Sequence, residues 1–277
     1  MRLFSNGEVD TTFEAALPAG ARVRGAIELP SRFVLVYTGE SIYLLQPNGQ
    51  LDVNFHVGLA SGGQIQTVHA TSLGAIYVGG NFRRYNGRPG SYLIRLHRDG
   101  TIDSTFRVEL DNPVQIIRED GQGRIYIGGK FTTVNGFYRP FVIRMDHMGN
   151  IDYSYGRLAG IGGMIWHPIA YHPRYYYNNT ENVWDIYRHP DGKIMIGGNF
   201  QAYNGTTVPG LARLLSNGEL DTTFTPEVGP ALRIFPLSQG GYLVVTPTGI
   251  HKLFPDGRLD PSFVMDTAIH GTFWGGT

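Results

Sequence analysis

Hydrophobic residues in this chain fall in short runs and show no long helical stripe. Phe33 to Tyr37, Ile76-Tyr77-Val78, Ile125-Tyr126-Ile127, Ile194-Met195-Ile196 and Leu243-Val244-Val245 are rich in β-branched and aromatic residues. Gly, Asn and Asp bound them, which predicts short buried strands between tight turns. An apolar residue stands 11 positions before one residue of each run: Val23 before Val34, Ile65 before Ile76, Val114 before Ile125, Val183 before Ile194 and Leu232 before Leu243. This fixed offset predicts a strand A ahead of every strand B. A strand C follows and ends in a basic–apolar pair such as Arg95-Leu96, Arg144-Met145 or Arg213-Leu214.

After strand C one eight-residue phrase recurs six times. It reads NGEVDTTF (Asn6 to Phe13), NGQLDVNF (Asn48 to Phe55), DGTIDSTF (Asp99 to Phe106), MGNIDYSY (Met148 to Tyr155), NGELDTTF (Asn217 to Phe224) and DGRLDPSF (Asp256 to Phe263). Its Asn-Gly or Asp-Gly start is a hairpin signal. The aspartates Asp10, Asp52, Asp103, Asp152, Asp221 and Asp260 are separated by 42, 51, 49, 69 and 39 residues. A period of roughly 40–50 residues suits a four-stranded propeller blade or a helical pair, and the β-like composition selects the blade. Glycine, 38 of 277 residues, supplies the turns such a chain needs.

Three copies add a signature after strand B: Gly79-Gly80-Asn81-Phe82, Gly128-Gly129-Lys130-Phe131 and Gly197-Gly198-Asn199-Phe200, followed by Asn86-Gly87, Asn135-Gly136 and Asn204-Gly205. With the strand C pair and the xDxxF phrase, this pattern resembles the delta-60 repeat of bacterial β-propeller proteins, over nearly the whole chain. The resemblance implies a propeller of the kind found in long bacterial surface or secreted proteins and in phage structural proteins. It implies no family-wide catalytic residue.

The expected fold is all-β: a β-propeller with five full blades and a sixth shared by the two ends, five blades alone being the alternative. Arg2-Leu3 matches Arg95-Leu96, and Phe273 lies 10 residues after Phe263, as Val23 lies after Phe13. Thr272-Phe273-Trp274 is therefore the expected strand A of the shared blade. Closure of this kind pairs edge strands that an open array exposes. Residues 1–277 are expected to form a single domain.

Composition narrows the function classes. Lys+Arg and Asp+Glu both total 23, so no general attraction to nucleic acid or anionic lipid is expected. Without cysteine there is neither disulfide nor thiol chemistry. No apolar run approaches the ~18 residues of a membrane span. The N-terminus has no signal-peptide pattern. A virion or extracellular-surface location is expected; if Met1 is the true start, the protein stays cytoplasmic or reaches the outside by lysis, as a virion protein does.

The acid of the phrase stands 8 residues after Arg2, Arg95, Arg144, Arg213 or Lys252, with Leu44 before Asp52 as the exception. One acid per blade reads as construction, either an ion pair or a turn cap, and not as a metal ligand or catalyst. The candidate site lies where one copy departs from the rest. An insertion at about residues 156–182 adds 20 residues before strand A and carries Trp166, His167, Tyr171, His172, Tyr175, Tyr176 and Tyr177, with Trp184 after it. Such aromatics suit a glycan or protein contact, or a cover over the channel mouth. His167, His172 and His189 lack an acidic partner at metal-ligand spacing, so neither metal nor cofactor is expected. The residue after each strand A position is Arg24, Gln66, Gln115, Trp184 or Arg233, a row expected to ring the channel mouth. Glu181 and Asp185 are the non-repeat acids nearby.

Two functions compete. The first is a non-enzymatic binding or assembly module, a phage tail or capsid-associated protein or a bacterial surface protein, whose partners are protein neighbours or a surface glycan. The second is a carbohydrate-active hydrolase or lyase, which requires a pair of carboxyls at defined separation.

Overall fold

The computed structural model describes residues 2–90, 92–156, 181–203 and 205–264. No helix occurs among them. In chain order the strands are β1 (Gly25–Glu28), β2 (Val34–Tyr37), β3 (Ile42–Leu45), β4 (Ala60–Ser61), β5 (Ile65–Ala70), β6 (Ile76–Gly80), β7 (Arg84–Tyr85), β8 (Arg88–Pro89), β9 (Leu93–Leu96), β10 (Val114–Glu119) and β11 (Ile125–Gly129). They continue as β12 (Thr133–Val134), β13 (Phe137–Tyr138), β14 (Val142–Met145), β15 (Val183–Arg188), β16 (Ile194–Gly198), β17 (Ala202–Tyr203), β18 (Thr206–Thr207), β19 (Leu211–Leu214), β20 (Arg233–Pro236), β21 (Tyr242–Thr246) and β22 (Gly249–Leu253).

Five antiparallel three-stranded sheets repeat one order: β1-β2-β3, β5-β6-β9, β10-β11-β14, β15-β16-β19 and β20-β21-β22. These are blades 1 to 5, with the predicted strands A, B and C in sequence. The chain divides into two compact units, Met1–Ile117 with Val134–Gly136, and Arg118–Thr133 with Phe137–Thr277. The first is built on a core that includes Leu35, Ile42, Phe55, Ile65, Val78, Phe82 and Leu96. The second has a core that includes Met195, Leu211, Phe224, Ala231, Ile234, Tyr242 and Val244. Strand B is buried throughout in β6, β11 and β16, which is why those runs lack polar alternation.

The paired glycines that end strand B serve packing. A methyl group on Gly79 meets Val114 of the next strand A and Thr67 of its own. One on Gly80 collides with the backbone oxygen of Gln64, and one on Gly198 with that of Asn182. Opposite these glycines β5 and β15 each carry a bulge, between Ile65 and Thr67 and between Val183 and Asp185. The extra residues are Gln66 and Trp184, and a bulge of this kind re-aims the side chain it carries.

The phrase is no full fourth strand. It returns along strand C for a single bridge, Leu45 to Leu51, Leu96 to Ile102, Met145 to Ile151, Leu214 to Leu220 and Leu253 to Leu259. Leu3 and Val9 make the same bridge at the N-terminus, so the expected N-terminal hairpin is present. The expected closing strand, Thr272-Phe273-Trp274, lies outside the described residues. After the phrase the chain crosses to the next blade. Glu14, His56, Gly156 and Thr225 each donate a backbone N–H to the first residue of the following phrase, Asn48, Asp99, Asn217 and Asp256, at 3.2, 2.7, 2.9 and 2.8 Å.

Candidate functional site

The repeat acid is consumed by construction. Arg2, Arg95, Arg144 and Arg213 donate through Nε to Oδ2 of Asp10, Asp103, Asp152 and Asp221 at 2.7, 2.8, 2.9 and 2.8 Å. Lys252 lies 2.8 Å from Asp260. The other carboxylate oxygen accepts from both the backbone and the hydroxyl of Thr12, Thr105, Ser154, Thr223 or Ser262, two residues on. Each guanidinium also lies over the phrase's ring, 4.4 Å from Phe13, 5.1 Å from Phe106, 4.3 Å from Tyr155 and 4.8 Å from Phe224. Burial pushes the Asp103 carboxyl up, but the Thr105 and Arg95 hydrogen bonds outweigh it and hold the group at about 2. Such an acid neither gives nor takes a proton near neutral pH.

The strand A row places its side chains at the strand starts. In the first compact unit Arg24 is exposed and donates to the side chain of Gln64 just ahead of β5. Gln66, on the bulge, has a buried Oε1 with no hydrogen-bond partner. In the second unit Trp184 is half-buried at its bulge, and Arg233 is exposed, with Nη1 donating to the Leu232 carbonyl at 2.7 Å. These groups offer donors and a stacking surface, which suits recognition by contact. Trp166, His167, Tyr171, His172, Tyr175, Tyr176 and Tyr177 lie outside the described residues.

The two non-repeat acids behave differently. Asp185 is buried and fully engaged. Its Oδ2 accepts the N–H of Ile234 at 2.9 Å, and its Oδ1 accepts from Ile186 at 3.0 Å and from Arg118 at 3.4 Å. It ties β15 to β20 and is a joint of the sheets. Glu181 is buried with Oε2 unpartnered, and burial pushes its carboxyl up despite a hydrogen bond from the Gln201 backbone. His189 packs against Tyr187 and Tyr242, with the Tyr242 hydroxyl 2.9 Å from Nε2, and burial lowers its affinity for a proton. Among the described residues no three His, Cys, Asp or Glu side chains gather as a metal-binding group.

Sequence reasoning missed one surface feature. Phe137 and Tyr153 are 62% and 42% exposed, yet their rings meet edge to face at 5.7 Å. Arg139 lies over the Tyr153 ring at 5.7 Å and donates to the Tyr153 carbonyl at 3.2 Å. The equivalent positions in blade 2 are Arg88, Ser104 and Gly90, and in blade 4 Thr206, Thr222 and Val208. The signal was present in the sequence as a column-by-column difference between copies.

The repeat geometry has recognised relatives. A family described as "domain of unknown function (DUF5122) beta-propeller" matches residues 74–106, 123–155 and 189–224, the three copies with the paired glycines. The fold is a β-propeller. A solved streptogramin B lyase shares it at a TM-score of 0.53 and 16% identity, over 90% of this chain and 70% of that one. PorZ, described as an essential bacterial surface component of the type-IX secretion system of Porphyromonas gingivalis, matches at a TM-score of 0.50 and 12% identity. That match covers 89% of this chain but 35% of PorZ, so the chain spans about a third of that relative's length. A search of curated proteins gave no match.

The four copies with arginine thus spend their acid, their base and their ring on the same joint, and the copy with Lys252 spends its acid and base there. Side chains left for chemistry or recognition are those that differ between copies. No helix among the described residues is long and apolar enough to cross a membrane.

Proposed function

We propose that this propeller is a non-enzymatic recognition and assembly module of the delta-60 repeat type. Its place is outside the cell, as a phage tail or capsid-associated protein or as part of a bacterial surface protein. Its partner is a surface glycan or a neighbouring protein. The carrying observation is the Phe137–Tyr153–Arg139 cluster, an exposed aromatic pair held by a guanidinium on one blade. Exposed Tyr and Phe give large contact area for little lost side-chain entropy, and fixed rings reduce it further. The strand A groups Arg24, Trp184 and Arg233 and the aromatic insertion are further contact surfaces.

Glu181 favours a second reading, a hydrolase or lyase, because a buried acid with a raised pKa suits proton donation. The commitment of Asp185 to Ile234 and Arg118 weighs against it, since it removes the other non-repeat acid beside this strand start.

A glycan array and a polysaccharide hydrolysis screen, run side by side, separate the two. We expect binding without turnover, reduced in Tyr153→Ala or Trp166→Ala. Turnover that Glu181→Gln abolishes would overturn the proposal. If no glycan binds, recovery in a purified particle or surface complex tests the protein-neighbour form.

A further inference from the structure

We propose that blade 2 carries a separate small-molecule site for a hydroxylated carboxylate the size of one sugar ring, seated between Arg88 and Arg107. A cavity of about 260 Å³ opens there, lined on its apolar side by Ile94, Ile102 and Val108, with Arg88, Arg107 and Glu109 among its polar groups. It shares no residue with the strand A row or the Phe137–Tyr153 pair, so it goes beyond the module reading.

The cavity has a local cause. Four residues after the hairpin asparagine stand Gly90 in blade 2, Arg139 in blade 3 and Val208 in blade 4. In blade 3 the arginine extends to the Tyr153 carbonyl, and in blade 4 the valine is buried. Blade 2 has no side chain there. A methyl group on Gly90 lies 3.2 Å from the Phe82 ring and 3.4 Å from Ile94, tight but short of a collision.

Charge and size select the ligand. Asp103 is neutralised by Arg95 at 2.8 Å, so Glu109 is the unpaired acid of the lining. Arg88 has no ion pair among the described residues, and the hydrogen bond recorded for Arg107 is a long one, 3.4 Å to the Phe106 carbonyl. Two guanidinium groups without an ion pair among the described residues, against one carboxylate, favour a monoanion, and arginine is suited to a carboxylate. Glu109 and Ser104 complement hydroxyls, and the apolar wall fits the C–H face of a ring. The volume falls below the ~300–1,000 Å³ of drug-sized sites, which limits the occupant to about one ring. Both arginines are peculiar to this copy: Phe137 and Thr206 replace Arg88, and Gly156 and Thr225 replace Arg107.

Isothermal titration or NMR titration with D-glucuronate and D-glucose tests the site on the full chain. Glucuronate should bind at least about tenfold more tightly than glucose, since only its carboxylate makes charge-assisted hydrogen bonds to the guanidinium groups. Arg88→Gln and Arg107→Gln should each weaken glucuronate about tenfold or more while leaving the unfolding temperature unchanged. Gly90→Val, which copies blade 4, should abolish binding. If that variant does not fold, the two arginine variants decide. Failure of glucuronate to bind, equal affinity for both sugars, or unchanged affinity in both arginine variants overturns the proposal. None of these readouts depends on the glycan-array surface around Tyr153, so the two readings fail separately.

Discussion

Arg213 and Asp221 form the most completely engaged pair among the described repeats. The Nε of Arg213 is 2.8 Å from Oδ2, Lys193 adds a second cation at 3.0 Å, and Nη1 of Arg213 donates at 2.7 Å to the Pro255 carbonyl of the next strand C turn. Arg144 makes the corresponding contact to the Ser216 carbonyl at 2.7 Å. The pair therefore fastens its own blade and reaches the next one. Asp221→Asn leaves two cations against a neutral amide and should destabilise by about 3–5 kcal/mol. Asp52→Asn, at the copy with leucine in place of the base, should cost under about 1 kcal/mol, because its recorded partner is the Asn54 backbone N–H. Urea unfolding of the two variants checks the contrast.

Acid should loosen the fold through these joints. Asp103 and Asp260 are held at about 2, and Asp10, Asp152 and Asp221 also lie below the usual carboxylate range. A carboxyl whose folded value is depressed contributes stability above its unfolded value near ~4, and that stability is lost as pH falls toward the folded value. The unfolding temperature should therefore drop steeply between about pH 4 and pH 2. Arg95→Gln should flatten the Asp103 share of that drop.

Two equivalent tyrosines should respond oppositely. The Tyr203 hydroxyl donates to the Gly218 carbonyl at 2.6 Å, whereas the Tyr85 hydroxyl is buried against Gly58 with no hydrogen-bond partner. Tyr203→Phe should cost about 1–2 kcal/mol, and Tyr85→Phe should be neutral or stabilising, because only the former loses a hydrogen bond. Thermal unfolding of both variants measures the difference.

Glu181 gives the opposite pH sign to the repeat acids. Burial raises its folded value, so the neutral form is favoured and the penalty grows as pH rises from its unfolded value through the folded one. Glu181→Gln should stabilise by roughly 1 kcal/mol at pH 7, and the gain should vanish by about pH 4. Unfolding temperatures of wild type and variant at the two pH values check it. A gain of equal size at both values would mean that charge burial is not the cause.

The offset of 11 residues between strands A and B survives in the structure, because the antiparallel register of the two strands fixes the length of the hairpin between them. In blades 1 and 5 the strand starts later than predicted, at Gly25 and Arg233, although Arg24 and Leu232 already bond to Tyr37 and Val245 at 2.9 and 2.7 Å. The basic residue eight positions before the acid was legible for the same reason, since a hairpin of constant length brings the two side chains together. The candidate site was less legible. Trp184 and Arg233 stand at strand starts and Arg24 just ahead of one, but a comparison along one repeat does not reveal a cavity lined by Gly90. That required knowing which side chains share a space.

By itself the sequence determined the repeat, its strands, its turns and the partner of nearly every phrase acid, since each depends on spacing within one blade. Tertiary structure decided what the side chains that differ between copies do. It showed Asp185 spent on Ile234, the Phe137 and Tyr153 rings exposed together, and a cavity in blade 2 with Gly90 in its lining. These depend on which side chains share a space, and no local periodicity encodes them.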